Sequence, residues 1–330
     1  MDRRWRRPAK ELAGLGLGAL ILAAALGASA GLADPPIRGM LWIARGADPD
    51  RALGTAPTEC LARIADPARA ASVEIGRAAF RSTTLLGGQA GRAGITCETC
   101  HRAGRGNPDF LFPGVSGAPG TADVTSSLFS THRGNGVADP KPIPDLSAPK
   151  AALKVSQARK DAKLEPFIHG LIAEEFDGPE PSSAVLRGLA DYVRALDPAA
   201  CPVGPRERLT VNLLMADARR ALNVAQRSAE AGDNPTAIAM VASARSRLGL
   251  IDERYAGPNL AAVRTELRAA DRRLAQTQAA LHDRRPDAAA QIAAWRARSK
   301  SLEANLAARQ SLSLFDPQRL AAAVKRRLPA

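Results

Sequence analysis

The sequence predicts a mainly α protein in two sections: an irregular middle section framed by helices, then an antiparallel helical bundle. Three observations carry this. Apolar residues make up 45% of the chain but aromatics only 4%, and the apolar share leans on Ala and Leu, which favour helix over sheet. From Pro205 onward apolar residues recur at three- and four-residue spacing, the period of a helix with one buried face. Between about Gly104 and Pro149 the chain is instead rich in Gly and Pro, the composition of ordered loop.

At the N-terminus, Arg3, Arg4, Arg6, Arg7 and Lys10 precede an Ala/Gly/Leu-rich run from Leu12 to Ala33, with small residues at Ala28-Ser29-Ala30. A basic start, an apolar run and an A-x-A site read as an export segment. Residues 1–33 are therefore expected to be a signal peptide or, if uncut, an N-terminal membrane anchor. Either way the basic end stays inside and the rest is delivered outside the cytoplasm, into the periplasm. Residues 34–59 read as a linker, 60–204 as the middle section and 205–330 as the bundle.

The net charge of +13 sits at the two ends of the chain: residues 1–10 sum to +4, 205–330 to +10, and the stretch between to −1. In the bundle Arg is interleaved with Asp and Glu, as on a solvated helix face. With export, that excludes nucleic acid as a partner. The surplus can still steer an acidic protein or anionic lipid headgroups.

The middle section opens with a predicted helix over about 70–80, in which Gly76 and Phe80 stand four apart on one face. It closes with one over 183–196, where Leu189, Tyr192, Val193 and Leu196 form an apolar stripe. A small residue lets two such helices approach closely. Between them stands Cys97-Glu98-Thr99-Cys100-His101, a C-x-x-C-H motif. On a helical turn its two thiols share one side, where they can add to the two vinyl groups of haem, and the adjacent His presents its imidazole to the iron. A redox C-x-x-C would want a βαβ setting, and a zinc site would want a second ligand pair; the sequence offers neither. The motif thus predicts one covalently bound haem c, with thioethers at Cys97 and Cys100 and His101 as proximal ligand.

The two remaining cysteines, Cys60 and Cys201, bracket this section. In an exported protein they are expected to form a disulfide. Glu174, Glu175 and Asp177 read as a solvated helix end. Phe110 and Phe112, in the Gly/Pro-rich passage, are candidates to cover a haem face.

The Gly76–Phe80 helix, the motif and the Tyr192 helix together resemble the class I cytochrome c domain, in which a G-x-x-x-F helix crosses a terminal helix bearing a Tyr. A narrower resemblance spans about residues 70–200. Ile75-Gly76-Arg77-Ala78-Ala79-Phe80, then Cys97 to His101, then Gly120-Thr121 to Ser127-Leu128 are similar to one haem domain of the bacterial di-haem cytochrome c peroxidases. The resemblance implies a cytochrome c-like haem domain with a long Gly/Pro-rich loop. Those enzymes carry two C-x-x-C-H motifs and this chain has one, so no second haem of the same chain relays electrons.

The sixth iron ligand is the open question. No Met lies between His101 and Cys201; Met40 precedes the section, and Met215 and Met240 fall on apolar helix faces of the bundle. His132, in the long loop, is the first candidate for the distal position and His169, at the edge of a predicted helix, the second. An open or water-bound position is the alternative. His282 reads as a surface residue.

The resulting expectation is an exported monohaem c-type cytochrome that exchanges electrons with an exported or membrane-bound redox partner, its bundle serving docking or assembly. Two alternatives stand beside it: a peroxidase-like haem enzyme fed by an external electron donor, and a haem-dependent sensor or assembly subunit.

Overall fold

Caps and close packing, more than helix propensity, set the elements of this chain. The computed structural model describes residues 37–125, 128–201 and 206–327, and these are mainly helical. Residues 1–33, the expected export segment, lie outside the described residues, as does the expected section boundary between 204 and 205. Among the described residues no helix is long and apolar enough to cross a membrane.

The stretch ahead of Cys60 is irregular. It holds a 3-10 turn at Arg38–Leu41, a π turn at Asp50–Gly54 and the two-residue strand β1 (Thr55–Ala56). Trp42 stacks on Phe112 with ring centroids 5.8 Å apart, and Ile37, Met40 and Leu53 form a small apolar cluster.

Helix α1 (Pro67–Ala79) starts where the Asp66 carboxylate accepts the Ala68 N–H, with Pro67 in its first turn; both favour a helix start. Two short helices follow, α2 (Gly88–Ala93) and α3 (Cys97–Cys100). The described residues of the Gly/Pro-rich passage are mostly loop, stitched by the two-residue strands β2 (Thr121–Ala122) and β3 (Lys141–Pro142), which pair antiparallel. Helix α4 (Leu164–Gly170) runs into a π turn at Leu171–Glu175. Helix α5 (Ser183–Ala195) is capped by the Ser182 hydroxyl, which accepts from Val185 N–H. Cys60 and Cys201 are disulfide-bonded across a separation of 141 residues.

Strand β4 (Glu207–Arg208) pairs with β1. The first bundle helix begins only after this strand: α6 runs Val211–Glu230, capped by Thr210. Helix α7 (Asn234–Arg254) starts at an Asp233 cap with Pro in its first turn. Next come α8 (Ala261–His282), entered through a 3-10 turn, then α9 (Ala288–Ala307) and α10 (Pro317–Arg327). Helix α6 packs on α7 and α9, and α8 packs on α7 and α9, closing four helices into a ring. Short connections between packed neighbours make it antiparallel.

One apolar core runs through both sections, from Phe110 and Tyr192 to Leu214, Met240, Leu274 and Ile292. Helix α1 packs along α5 and also meets α6 and α7, so the crossing that frames the motif rests directly on the bundle. Helix α10 adds Leu320 and Val324 to the cluster around Met40.

Candidate haem site

The motif sits on a single capped turn. Thr96 Oγ1 accepts the Thr99 N–H at 3.2 Å and Thr99 Oγ1 accepts the Thr96 N–H at 3.0 Å, a reciprocal capping box. That holds Cys97–Cys100 helical and sets both thiols against the same apolar core. The chain then leaves sharply through Ala103 and Gly104, both at positive φ. A side chain at Gly104 would meet Leu196 at 2.5 Å, so glycine is required there. Asn107 ties the turn down, donating to Thr99 O at 2.9 Å.

His101 is oriented by the long loop. Its Nδ1 lies 3.0 Å from the carbonyl oxygen of Pro144, and only the Nδ1–H tautomer can donate to that acceptor. Nε2 is thereby left with its lone pair. A ring nitrogen held by a backbone carbonyl while the other stays free is the arrangement of a metal-ligating histidine. Desolvation pushes the imidazole's pKa below its ordinary value, toward the neutral form that ligates. Burial pushes the thiols of Cys97 and Cys100 up to about 12, opposite to the thiolate-favouring setting of a redox pair. Among the described residues no three His, Cys, Asp or Glu side chains gather into a metal cluster, as a zinc site would need.

Two helices frame the turn as expected. At the α1–α5 crossing a Cβ added to Gly76 would lie 1.9 Å from the carbonyl oxygen of Gly188, so the two backbones touch. The Phe80 ring lies 5.1 Å from Tyr192 and 6.4 Å from His101. Tyr192 donates to Glu59 at 2.6 Å. Glu59 in turn pairs with Arg77 and Arg81, and Arg81 with Glu98 inside the motif. Burial raises the Glu59 pKa but the two arginines overcome it, holding the carboxyl at about 2.

Haem fits these residues. Two thiols on one turn and a neutral His101 with a free nitrogen are its attachment set. Phe112, Val124, Ile143, Leu146 and Ile168 pack, partly open, on the same apolar core as the two motif cysteines. Phe110, Phe112, Phe129 and Phe176 form a continuous aromatic row with Trp42.

The two distal candidates differ. His132 is exposed, and its Nδ1 lies 3.0 Å from Asp177, which leaves Nε2 free. His169 spends Nε2 itself on Glu180 at 2.8 Å. The acidic group at 174–177, expected as a solvated helix end, instead anchors the His132 loop. Arg133 pairs with Glu174 and Glu175, and Asp177 accepts from Thr131 N–H at 3.0 Å. Glu175 is buried, and burial raises its carboxyl. Met40, Met215 and Met240 lie in apolar core, and His282 is exposed.

Sequence reasoning missed Glu59, Arg81, Pro144 and Gly188. Gly188 had a readable signal, since it directly precedes the Leu189, Tyr192, Val193 and Leu196 stripe. The partners of Glu59 lie 18 to 133 residues away along the chain and gave none. The chain matches no known family, no curated protein and no solved structure.

Proposed function

We propose that the chain is an exported monohaem c-type cytochrome that transfers electrons to or from a partner protein. Residues 60–204 form its cytochrome c-like domain, which over about 70–200 resembles one haem domain of the bacterial di-haem peroxidases. The observation that carries the reading is the C-x-x-C-H turn whose His101 is held through Nδ1 by Pro144, with Nε2 left for iron. Haem bound there supplies a one-electron couple. Cys97 and Cys100 would hold it against loss after export, His101 would ligate its iron, and Phe80 and Tyr192 would fix the helix crossing beside it. His132, with Nε2 free, is the better distal candidate of the two histidines. The basic bundle suits an acidic partner, exported or membrane-bound.

A second reading, a peroxidase-like enzyme fed by an external donor, draws on the His132–Asp177 pair, an imidazole with a carboxylate partner as acid–base groups have. Expression with an export route and a haem-attachment system separates the readings. One covalently bound haem per chain is expected by pyridine haemochrome and intact mass, lost in C97S/C100S. Exported protein without covalent haem overturns the proposal. Peroxide turnover with a reduced donor, abolished by His132→Ala, would favour the enzyme.

A further inference from the structure

A crevice of about 220 Å³ lies where α7 faces the motif turn. The motif presents Thr96, Glu98 and Thr99 to it, and neither thiol nor His101 lines it. It is therefore on the side of the turn away from the haem attachment set.

The crevice is rich in guanidinium groups, and three of them, Arg102, Arg247 and Arg254, make their hydrogen bonds to backbone carbonyls and not to carboxylates. Arg102 donates to the carbonyls of Ala52 and Thr55. Arg247 donates to that of Arg81, and Arg254 to those of Leu53 and Leu314. None of the three forms an ion pair among the described residues. The half-buried carboxylates of the lining are already taken: Glu59 and Glu98 by Arg81, Asp217 by Arg220, Glu253 by Arg38. Arg247 and Arg254 are 6% and 5% exposed, and each keeps an Nε–H without an acceptor. Burial drives Arg247 and Arg254 down to about 10. Buried charges are normally paired, because an unpaired one forfeits its hydration for no return. Three guanidiniums line one hollow without an ion pair among the described residues, and two of them, Arg247 and Arg254, keep a donor unspent.

We propose that this crevice binds a small, multiply charged oxyanion, through phosphate or carboxylate oxygens held by Arg102, Arg247 and Arg254. The planar fork of guanidinium suits both oxygen geometries. Because Arg247 and Arg254 come from α7 and Arg102 follows the motif, the anion would clamp the bundle to the haem section.

Titration of the full purified chain with inorganic phosphate, with a tricarboxylate and with chloride at matched ionic strength and pH tests this, read by calorimetry and melting temperature. Phosphate or the tricarboxylate should raise the melting temperature saturably and chloride should not. Tighter binding of phosphate assigns a phosphoryl ligand, and the reverse assigns a polycarboxylate. Arg247→Met should weaken binding by about tenfold or more, the effect of losing one charge-assisted hydrogen bond. Arg245→Met, which removes a pair with Asp271 outside the crevice, should leave the affinity unchanged. Equal stabilisation by chloride, which needs no variant to observe, overturns the proposal; so does an affinity that Arg247→Met leaves intact.

Discussion

The section between Cys60 and Cys201 and the bundle after Val211 share one core but are specified in different ways. The bundle is built by repetition: four helices of 20 to 22 residues, each burying a stripe, with the same kind of contact made many times. The section between the two cysteines is held at individual points: one disulfide, one glycine crossing, one capping box, and one carboxylate shared by two arginines and a tyrosine. Repetition gives a rigid support with little chemistry of its own. Point contacts leave loop backbone free to aim groups, as Pro144 aims His101. A site needs the second kind of construction, and here it leans on the first.

The same substitution should therefore have opposite signs in the two regions. Gly76→Ala drives a methyl into the Gly188 carbonyl, since the added Cβ falls 1.9 Å from that oxygen. Neither backbone can yield without opening the α1–α5 crossing, and a loss of roughly 3 kcal/mol or more is expected. In α7, Gly249 has nothing within 4 Å of its added Cβ. Gly249→Ala should stabilise by about 0.5–1 kcal/mol, through helix propensity and the entropy of the unfolded chain. Urea unfolding of the two variants measures both. A tolerated Gly76→Ala would break the contrast.

The second difference is electrostatic. Glu59 is held at about 2 against an ordinary 4.5, Arg81 and Arg77 outweighing the burial that opposes them. A carboxyl depressed on folding contributes stability above its unfolded pKa, and the contribution is lost as pH falls from about 4.5 toward 2. The full contribution at neutral pH is roughly 3 kcal/mol. Wild type should thus lose stability between pH 5 and 2 more steeply than Glu59→Gln, which has no proton to take up there. Parallel loss in the two proteins would show that this network does not carry the section.

How legible each region was follows from the same contrast. Bundle helices announce themselves through local signals, such as the Asp233 cap and the Pro235 in the first turn of α7. Just ahead of α6 the chain is fixed by a non-local event, the pairing of Glu207–Arg208 with Thr55–Ala56, which no residue near it encodes. In the section around the motif, the Gly76–Phe80 face, Tyr192 and the Cys60–Cys201 pair were readable, because residue type limits what each can do. Glu59, Arg81 and Pro144 were not, because a Glu, an Arg or a loop Pro becomes specific only through what the fold sets opposite it. The group at 174–177 shows the limit well. As a sequence it is a polar helix end, and only the folded loop turns Asp177 into the residue that holds Thr131 and His132.

The smallest expected effect sharpens the comparison most finely, because it sets one cap against another. Asp233→Ala removes the acceptor for Thr236 N–H at the start of α7, and Thr96→Ala removes the one for Thr99 N–H at the start of α3. Each should cost about 1 kcal/mol of global stability. Their local consequences should differ. Helix α7 has 21 residues and its packed face holds it beyond the first turn, so its amides should lose hydrogen-exchange protection only in proportion to the global loss. Helix α3 has 4 residues, too few to stay helical without its box. The amide of His101, which donates to Cys97 O at 2.8 Å, should exchange far faster in Thr96→Ala than the global loss requires. Equal, proportionate loss at both sites would mean that the motif turn is held by its surroundings as the bundle helices are, and not by its own cap.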